Sequence, residues 1–173
     1  MPIPSSGALT LSTIQTEFGG TNPIGLDEYY AGGANVPSGT TGTNGAVPSS
    51  GAISISAFYG TSKFSISGGD PFVSGIGFIS GAGTQAVTTS SASSGTITGG
   101  SSPYTFLWQY VSGDAFTPNT STSSSTTFST TITVGGAGEV TKTGVYRCRV
   151  TDNTSAVIFG PDCTVEATLT EIS

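Results

Sequence analysis

Histidine is absent from all 173 residues, and the whole basic complement is Lys63, Lys142, Arg147 and Arg149. Without histidine there is no ordinary general base, no Ser–His or Cys–His pair and none of the common zinc sites. Two cysteines are too few for a structural zinc site. The net charge is −6, whereas binding a phosphate backbone needs clustered Lys and Arg, so no nucleic-acid partner is expected. No run approaches ~18 consecutive apolar residues, so no membrane partner is expected either. The start lacks a basic stretch followed by an apolar one, so no secretory leader is expected. The expectation is a protein made in a cytoplasm and kept there until released. Charged residues make up only 8% of the chain, against roughly 25% in an ordinary soluble domain.

Other chemistry is missing too. No serine sits in a Gly-x-Ser-x-Gly elbow. The glycine-rich "GIGFISG" and "GGSS" have no lysine in reach to make a phosphate loop. Asp27 and Glu28 are adjacent, and adjacent residues do not share a helix face. Asp152 and Asp162 are candidate calcium ligands from loops, but too few carboxylates cluster near them; such aspartates more often cap turns. The expectation is no catalytic residue, no metal, no cofactor and no enzymatic activity.

What is present is hydroxyl, glycine and a repeated device. "PSSGA" occurs at Pro4 and again at Pro48. Each copy runs on with the same character: "LTLSTIQTEF" after the first, "ISISAFYG" after the second. In the first copy Leu9 and Leu11 alternate like a strand. Ser12 stands three residues before Gln15 as in a capping box, and Ile14 and Phe18 share a face of a short helix that Gly19-Gly20 ends. "NPIGLDEYYAGG" repeats the logic with Leu26, Tyr29 and Tyr30, and the second copy repeats it with Ile53, Ile55, Phe58 and Tyr59. Residues 37–46 read as a flexible linker. Helices this short are marginal alone, and some sixty residues bury little surface. Either the leading part folds against something larger or it packs only on itself. The first is favoured, because ordering so short a chain for a small core is costly.

Composition changes across 63–71, and the boundary is drawn at 66/67. From there strand signals repeat. "YTFLWQYV" places Phe106, Trp108 and Tyr110 on one face. "TTFSTTITV" aligns Phe128, Ile132 and Val134. "GVYRCRVTD" sets Tyr146, Cys148 and Val150 against Arg147 and Arg149, and "CTVEATLTE" aligns Cys163, Val165, Ala167 and Leu169. Turn signals between the runs argue for an antiparallel sandwich. Cys148 and Cys163 either pair or stay as free thiols. A plain hairpin sets them four residues out of register, which favours free thiols.

Trp108 followed by Gly144-x-Tyr146-x-Cys148 resembles the immunoglobulin fold, with its core tryptophan and its tyrosine two residues before a cysteine. The first cysteine of that pattern is missing. The resemblance implies an immunoglobulin-like core containing Trp108, Tyr146, Cys148 and Val150. The leading text, "IPSSGALTLSTIQTEFGGTNPIGLDEYYAGGANVP" (Ile3 to Pro37) with "VPSSGAISISAFYGTSK" (Val47 to Lys63), resembles a module of tailed-bacteriophage virion structural proteins. The resemblance implies a mainly β chain. Residues 1–66 would be an attachment arm or small module with short helical turns, and 67–173 an immunoglobulin-like antiparallel β-sandwich. It implies docking to other virion subunits, a major capsid or tail protein, through Leu9, Leu11, Ile14, Phe18, Leu26, Tyr29, Tyr30, Ile53, Ile55, Phe58 and Tyr59, together with self-association. It implies a location in the virion, after assembly in the host cytoplasm, as a capsid decoration or cement protein. The alternative is a tail, baseplate or fibre component. Host-surface glycans are a further candidate partner for the sandwich, through Tyr104, Tyr110 and Phe116.

Overall fold

The computed structural model describes residues 3–172. The described chain is mainly β, with few and short helical elements. It divides into two compact units. The first comprises Met1–Ile66, Ile97–Tyr104 and Thr151–Ile158; the second comprises Ser67–Thr96, Thr105–Val150 and Phe159–Ser173. The first unit thus takes in two segments, 97–104 and 151–158, that lie beyond the 66/67 boundary drawn from composition. Composition reports local texture, and these segments join the first unit through contacts distant in sequence.

In the first unit, helix α1 spans Leu11–Phe18 and buries Ile14 and Phe18. Its N-cap is Thr10, not Ser12. Thr10 is extended (φ −122°, ψ 160°), and its hydroxyl accepts the Thr13 N–H at 3.2 Å, satisfying one of the helix's orphan donors. Leu11 is therefore helical and does not continue a strand. Two 3₁₀ turns follow, Leu26–Tyr29 and Ile55–Phe58. Between them β1 (Thr41–Gly42) and β2 (Gly45–Ala46) form a tight antiparallel hairpin. Residues 37–46 are therefore not a linker. The Thr43 N–H donates to the Tyr59 carbonyl at 2.7 Å, and the Asn44 amide to the Ser56 carbonyl at 2.8 Å.

This unit has a core of its own: Ile3, Ile14, Phe18, Tyr29, Val36, Val47 and Phe58 are buried. Phe58 takes the edges of Phe18 and Tyr29, with ring centroids 6.1 and 6.3 Å apart. Ile3, Val36 and Val47 each precede a proline, and they enlarge a core that the helical positions alone leave small. Folding on a partner is thus not needed to cover these side chains. Farther along, β3 (Ser65–Ser67) pairs with a strand at Thr96–Thr98, and Phe64 stacks on Tyr104 at 6.0 Å.

Asp152 ties the late segments of this unit together. Its carboxylate accepts the N–H groups of Ser101, Thr154 and Ala156 at 2.9 Å each and the Thr154 hydroxyl at 2.8 Å. The Ser38 carbonyl lies 3.1 Å from the same hydroxyl, a second acceptor competing for its single proton. Burial alone pushes the carboxyl up and is the largest single influence. The donors from Ser101, Thr154 and Ala156 together outweigh it and leave the acid below its ordinary range.

The second unit holds β4 (Phe72–Ile79), β5 (Gly83–Thr88), β6 (Ala92–Ser93), β8 (Thr105–Gly113), β9 (Thr117–Pro118), β10 (Ser125–Thr126), β11 (Phe128–Val134), nearly all of β12 (Glu139–Thr151) and most of β13 (Val157–Glu171), whereas β7 (Thr96–Thr98) and the chain from it to β8 fall mostly in the first unit. A four-stranded sheet runs β4-β13-β12-β8, and a three-stranded one runs β5-β11-β9. The period-two readings hold: Phe128, Ile132 and Val134 are buried, and Cys163, Val165, Ala167 and Leu169 are buried along β13. The two sheets meet through Phe128, whose ring lies 5.6 Å from Trp108 and 4.7 Å from Tyr146. One pairing departs from the antiparallel expectation: β4 runs parallel to β13, Val73 beside Val165 and Gly77 beside Leu169. These strands lie at opposite ends of the unit's sequence, so no short hairpin forces their direction. On its inner side Gly75 lets β4 lie close against the end of β5, since a Cβ there would stand 2.3 Å from the Thr88 carbonyl oxygen.

Candidate functional site

The repeated device is repeated in three dimensions. Gly7 and Gly51 both take positive φ, 99° and 79°, a region that glycine enters without penalty. Forty-four residues apart, Thr10 and Ser54 are extended caps, with Ser54 at φ −131°, ψ 155°. Leu11 and Ile55 open the helical turns, and Ile14 and Phe58 occupy equivalent buried positions.

Each glycine loop is received by a tyrosine. The Tyr59 hydroxyl donates to the Gly7 carbonyl, and the Tyr30 hydroxyl donates to the Gly51 carbonyl. Beside each tyrosine the next residue ties the loop again. The Gly60 N–H reaches the Pro4 carbonyl at 3.0 Å, and the Ala31 N–H reaches the Pro48 carbonyl at 2.9 Å. The module is therefore two loops seated on two aromatic turns, closed within one chain. Tyr29 is buried at the centre; burial first, then the Glu28 charge, push its phenol up, so it stays a donor, to the Gly19 carbonyl at 2.8 Å.

This arrangement separates the docking candidates into two groups. Ile14, Phe18, Tyr29 and Phe58 are buried among one another and present nothing outward. Leu9, Leu11, Leu26, Tyr30, Ile53 and Tyr59 are half-buried, and Ile55 is exposed. By the repeat, Leu9 with Leu11 and Ile53 with Ile55 are equivalent aliphatic pairs at the module surface. No run of local sequence announced the tyrosine-to-glycine ties, because the partners lie 21 and 52 residues apart. The hairpin did carry a signal, Asn44-Gly45.

In the second unit Trp108, Tyr146, Cys148 and Val150 are buried. The Trp108 indole donates to the Ser123 carbonyl at 3.0 Å. The Tyr146 hydroxyl donates to the Phe116 carbonyl at 2.6 Å and accepts the Phe116 N–H at 2.7 Å, so a buried phenol is fully used. Burial pushes the Cys148 thiol up; burial and the Asp70 charge take Cys163 up to about 11. Both thiols are free and buried. Phe116 is buried against Tyr146 and offers no open ring, whereas Tyr110 is exposed. Arg147 lies over the Phe159 ring at 4.6 Å. Among the described residues no group of three His, Cys, Asp or Glu side chains is placed to hold a metal ion, and no helix is long and apolar enough to cross a membrane. Comparison with protein-family models, curated proteins and solved structures finds no match to this chain.

Proposed function

We propose that this chain is a non-enzymatic structural protein of a tailed-bacteriophage virion, seated by its leading unit on a repetitive protein surface as a capsid decoration or cement protein. The second unit is read as an immunoglobulin-like sandwich. The strand order β4-β13-β12-β8 opposite β5-β11-β9, with Trp108 and Tyr146 at the junction, supports that reading. Two features depart from the immunoglobulin pattern: the thiols are unpaired, and Tyr146 bonds 30 residues upstream rather than a few.

The observation that carries the proposal is the doubled device. Two copies that share the glycine loop and the extended cap, one leading into an α-helix and the other into a 3₁₀ turn, each leave an aliphatic pair, Leu9/Leu11 and Ile53/Ile55, at the surface of a module that already covers its own core. Two weak, tethered contacts bind much more tightly than one, and their rigidity lowers the ordering cost on attachment. Docking therefore rests on these pairs and not on the buried aromatics. The test is gold-labelled antibody against the protein on intact particles. Label spread over heads supports decoration. Label confined to the tail or its tip replaces decoration with a tail or baseplate role, and no label on any particle overturns the virion assignment. On labelled particles, Ile55→Asp should reduce retention on sedimentation; unchanged retention would move the contact away from the second aliphatic pair.

A further inference from the structure

Strand β12 carries both of the chain's arginines on one face. Tyr146, Cys148 and Val150 are buried on the inner side, so Arg147 and Arg149, of opposite parity and half-buried, lie on the outer face of the four-stranded sheet. Residues two apart on a strand stand about 7 Å apart on the same face, so the two guanidinium groups repel one another. The chain does not offset this with an acid. In the sheet β13 lies on one side of β12 and β8 on the other. Asp162, Glu166 and Glu171 on β13 make no ion pair with either arginine, and β8 has no acidic residue.

Arg147 is also fixed in place. Its guanidinium lies over the Phe159 ring at 4.6 Å, and its Nε, shut off from solvent, has no hydrogen-bond partner. A donor in that state carries a desolvation penalty, while stacking on the ring holds the planar fork before any ligand arrives. The flanks are apolar. Leu107 and Val111 on β8, of opposite parity to buried Trp108, are exposed, and so is Phe159 on β13.

We infer that this outer face is a binding site for an acidic segment of a partner protein, extended, with two carboxylates two residues apart beside an apolar side chain. Each carboxylate takes terminal N–H groups of one arginine, in the planar geometry the two groups share, and relieves the repulsion between the arginines. The apolar neighbour packs on Leu107 or Val111. Charge selects the class of partner. At net −6 the chain as a whole repels a densely anionic polymer. A segment with two local carboxylates meets the arginines at contact distance, where the more distant acids are screened. Apolar flanks also suit a peptide side chain better than the hydroxyls of a glycan, which they would strip of water without return. The inference concerns the second unit alone and does not depend on what the leading unit docks to.

Arginine Nε–H groups give their own NMR signals, and this chain has only Arg147 and Arg149 to supply them. The whole nitrogen-labelled chain is titrated with a serine–leucine peptide bearing two glutamates two residues apart, and with the same peptide bearing glutamines. Both arginine signals should move with the glutamate peptide and stay in place with the glutamine peptide. Arg147→Gln and Arg149→Gln should each weaken binding more than about tenfold. Arg147→Lys keeps the charge but loses the fork and should weaken it nearly as much. Lys142→Gln, which removes a charge from the same strand, should leave it within about twofold. Trp108 fluorescence checks that each variant is folded. Arginine signals that respond alike to both peptides, an Arg147→Lys chain that binds as the unaltered chain does, or heparin bound more tightly than the glutamate peptide would each overturn the inference, the last by replacing the partner protein with an anionic polysaccharide.

Discussion

The two units reach stability by different means. The second stacks two sheets, and its core aromatics Trp108, Phe128 and Tyr146 touch across them; strand period alone places those rings. The first has little regular structure. It is held by a small core, by tyrosine hydroxyls on glycine carbonyls, and by one carboxylate that gathers four donors. A sheet distributes its stability over many equivalent bonds, whereas the module concentrates it in a few named atoms. It should therefore be the more brittle under single substitutions and the more sensitive to solution conditions.

The largest expected effect compares the two cores. Phe58→Ala and Phe128→Ala each remove a fully buried ring and should each cost about 3–5 kcal/mol. Hydrogen exchange followed by mass spectrometry should show Phe58→Ala freeing amides across residues 3–61 while β11 and β12 stay protected, and Phe128→Ala the reverse. Loss of protection in both units from either change would mean that they unfold as one.

Acid should separate the units next. The Asp152 carboxyl is depressed in the folded chain, so the stability it confers is fully present above the unfolded value, about 4, and is lost as pH falls through the folded value. Titration below pH ~4 should loosen 97–104 and 151–158 before the sheets. Asp152→Asn should flatten that dependence, leaving a less stable module at neutral pH. A thermal melt series against pH decides it; an unaltered acid profile in the variant would remove Asp152 from its assigned role.

Smaller still is the test of the repeat. Tyr30→Phe and Tyr59→Phe each delete one hydroxyl donor to a glycine carbonyl, and each should cost about 0.5–1.5 kcal/mol. Because the two seats are equivalent, the denaturation midpoints should shift alike; a large inequality would show that one loop is held by other contacts. The smallest expected effect is that of Ser54→Ala, which set beside Thr10→Ala distinguishes the copies. Thr10→Ala removes a side-chain cap and should cost about 0.5–2 kcal/mol. Ser54→Ala should cost less, since Ser54 makes no cap bond in its turn; urea melts of the pair measure the gap.

Much of the second unit was legible in advance. Alternation along β11, β12 and β13 assigned inward and outward residues, because a strand's side-chain period is two whatever its partners. The parallel pairing of β4 with β13 was not legible, since no turn connects them to set a direction. In the first unit, apolar spacing marked Ile14, Phe18, Tyr29 and Phe58 as important without saying what they touch. A hydrophobic side chain spaced for burial reads the same whether its cover is its own chain or a neighbour's.

Composition and order of residues by themselves determined the scarcity of charge, the absence of histidine chemistry, the β-rich texture and the duplication at Pro4 and Pro48. Only the tertiary structure decided that the duplicated loops close on tyrosines of the same chain, that Asp152 binds two distant segments, and that β4 lies at a sheet edge. The physical reason is range. Propensity and period act over neighbouring residues, whereas a hydroxyl, a carboxylate or a sheet edge takes its meaning from groups that folding brings near.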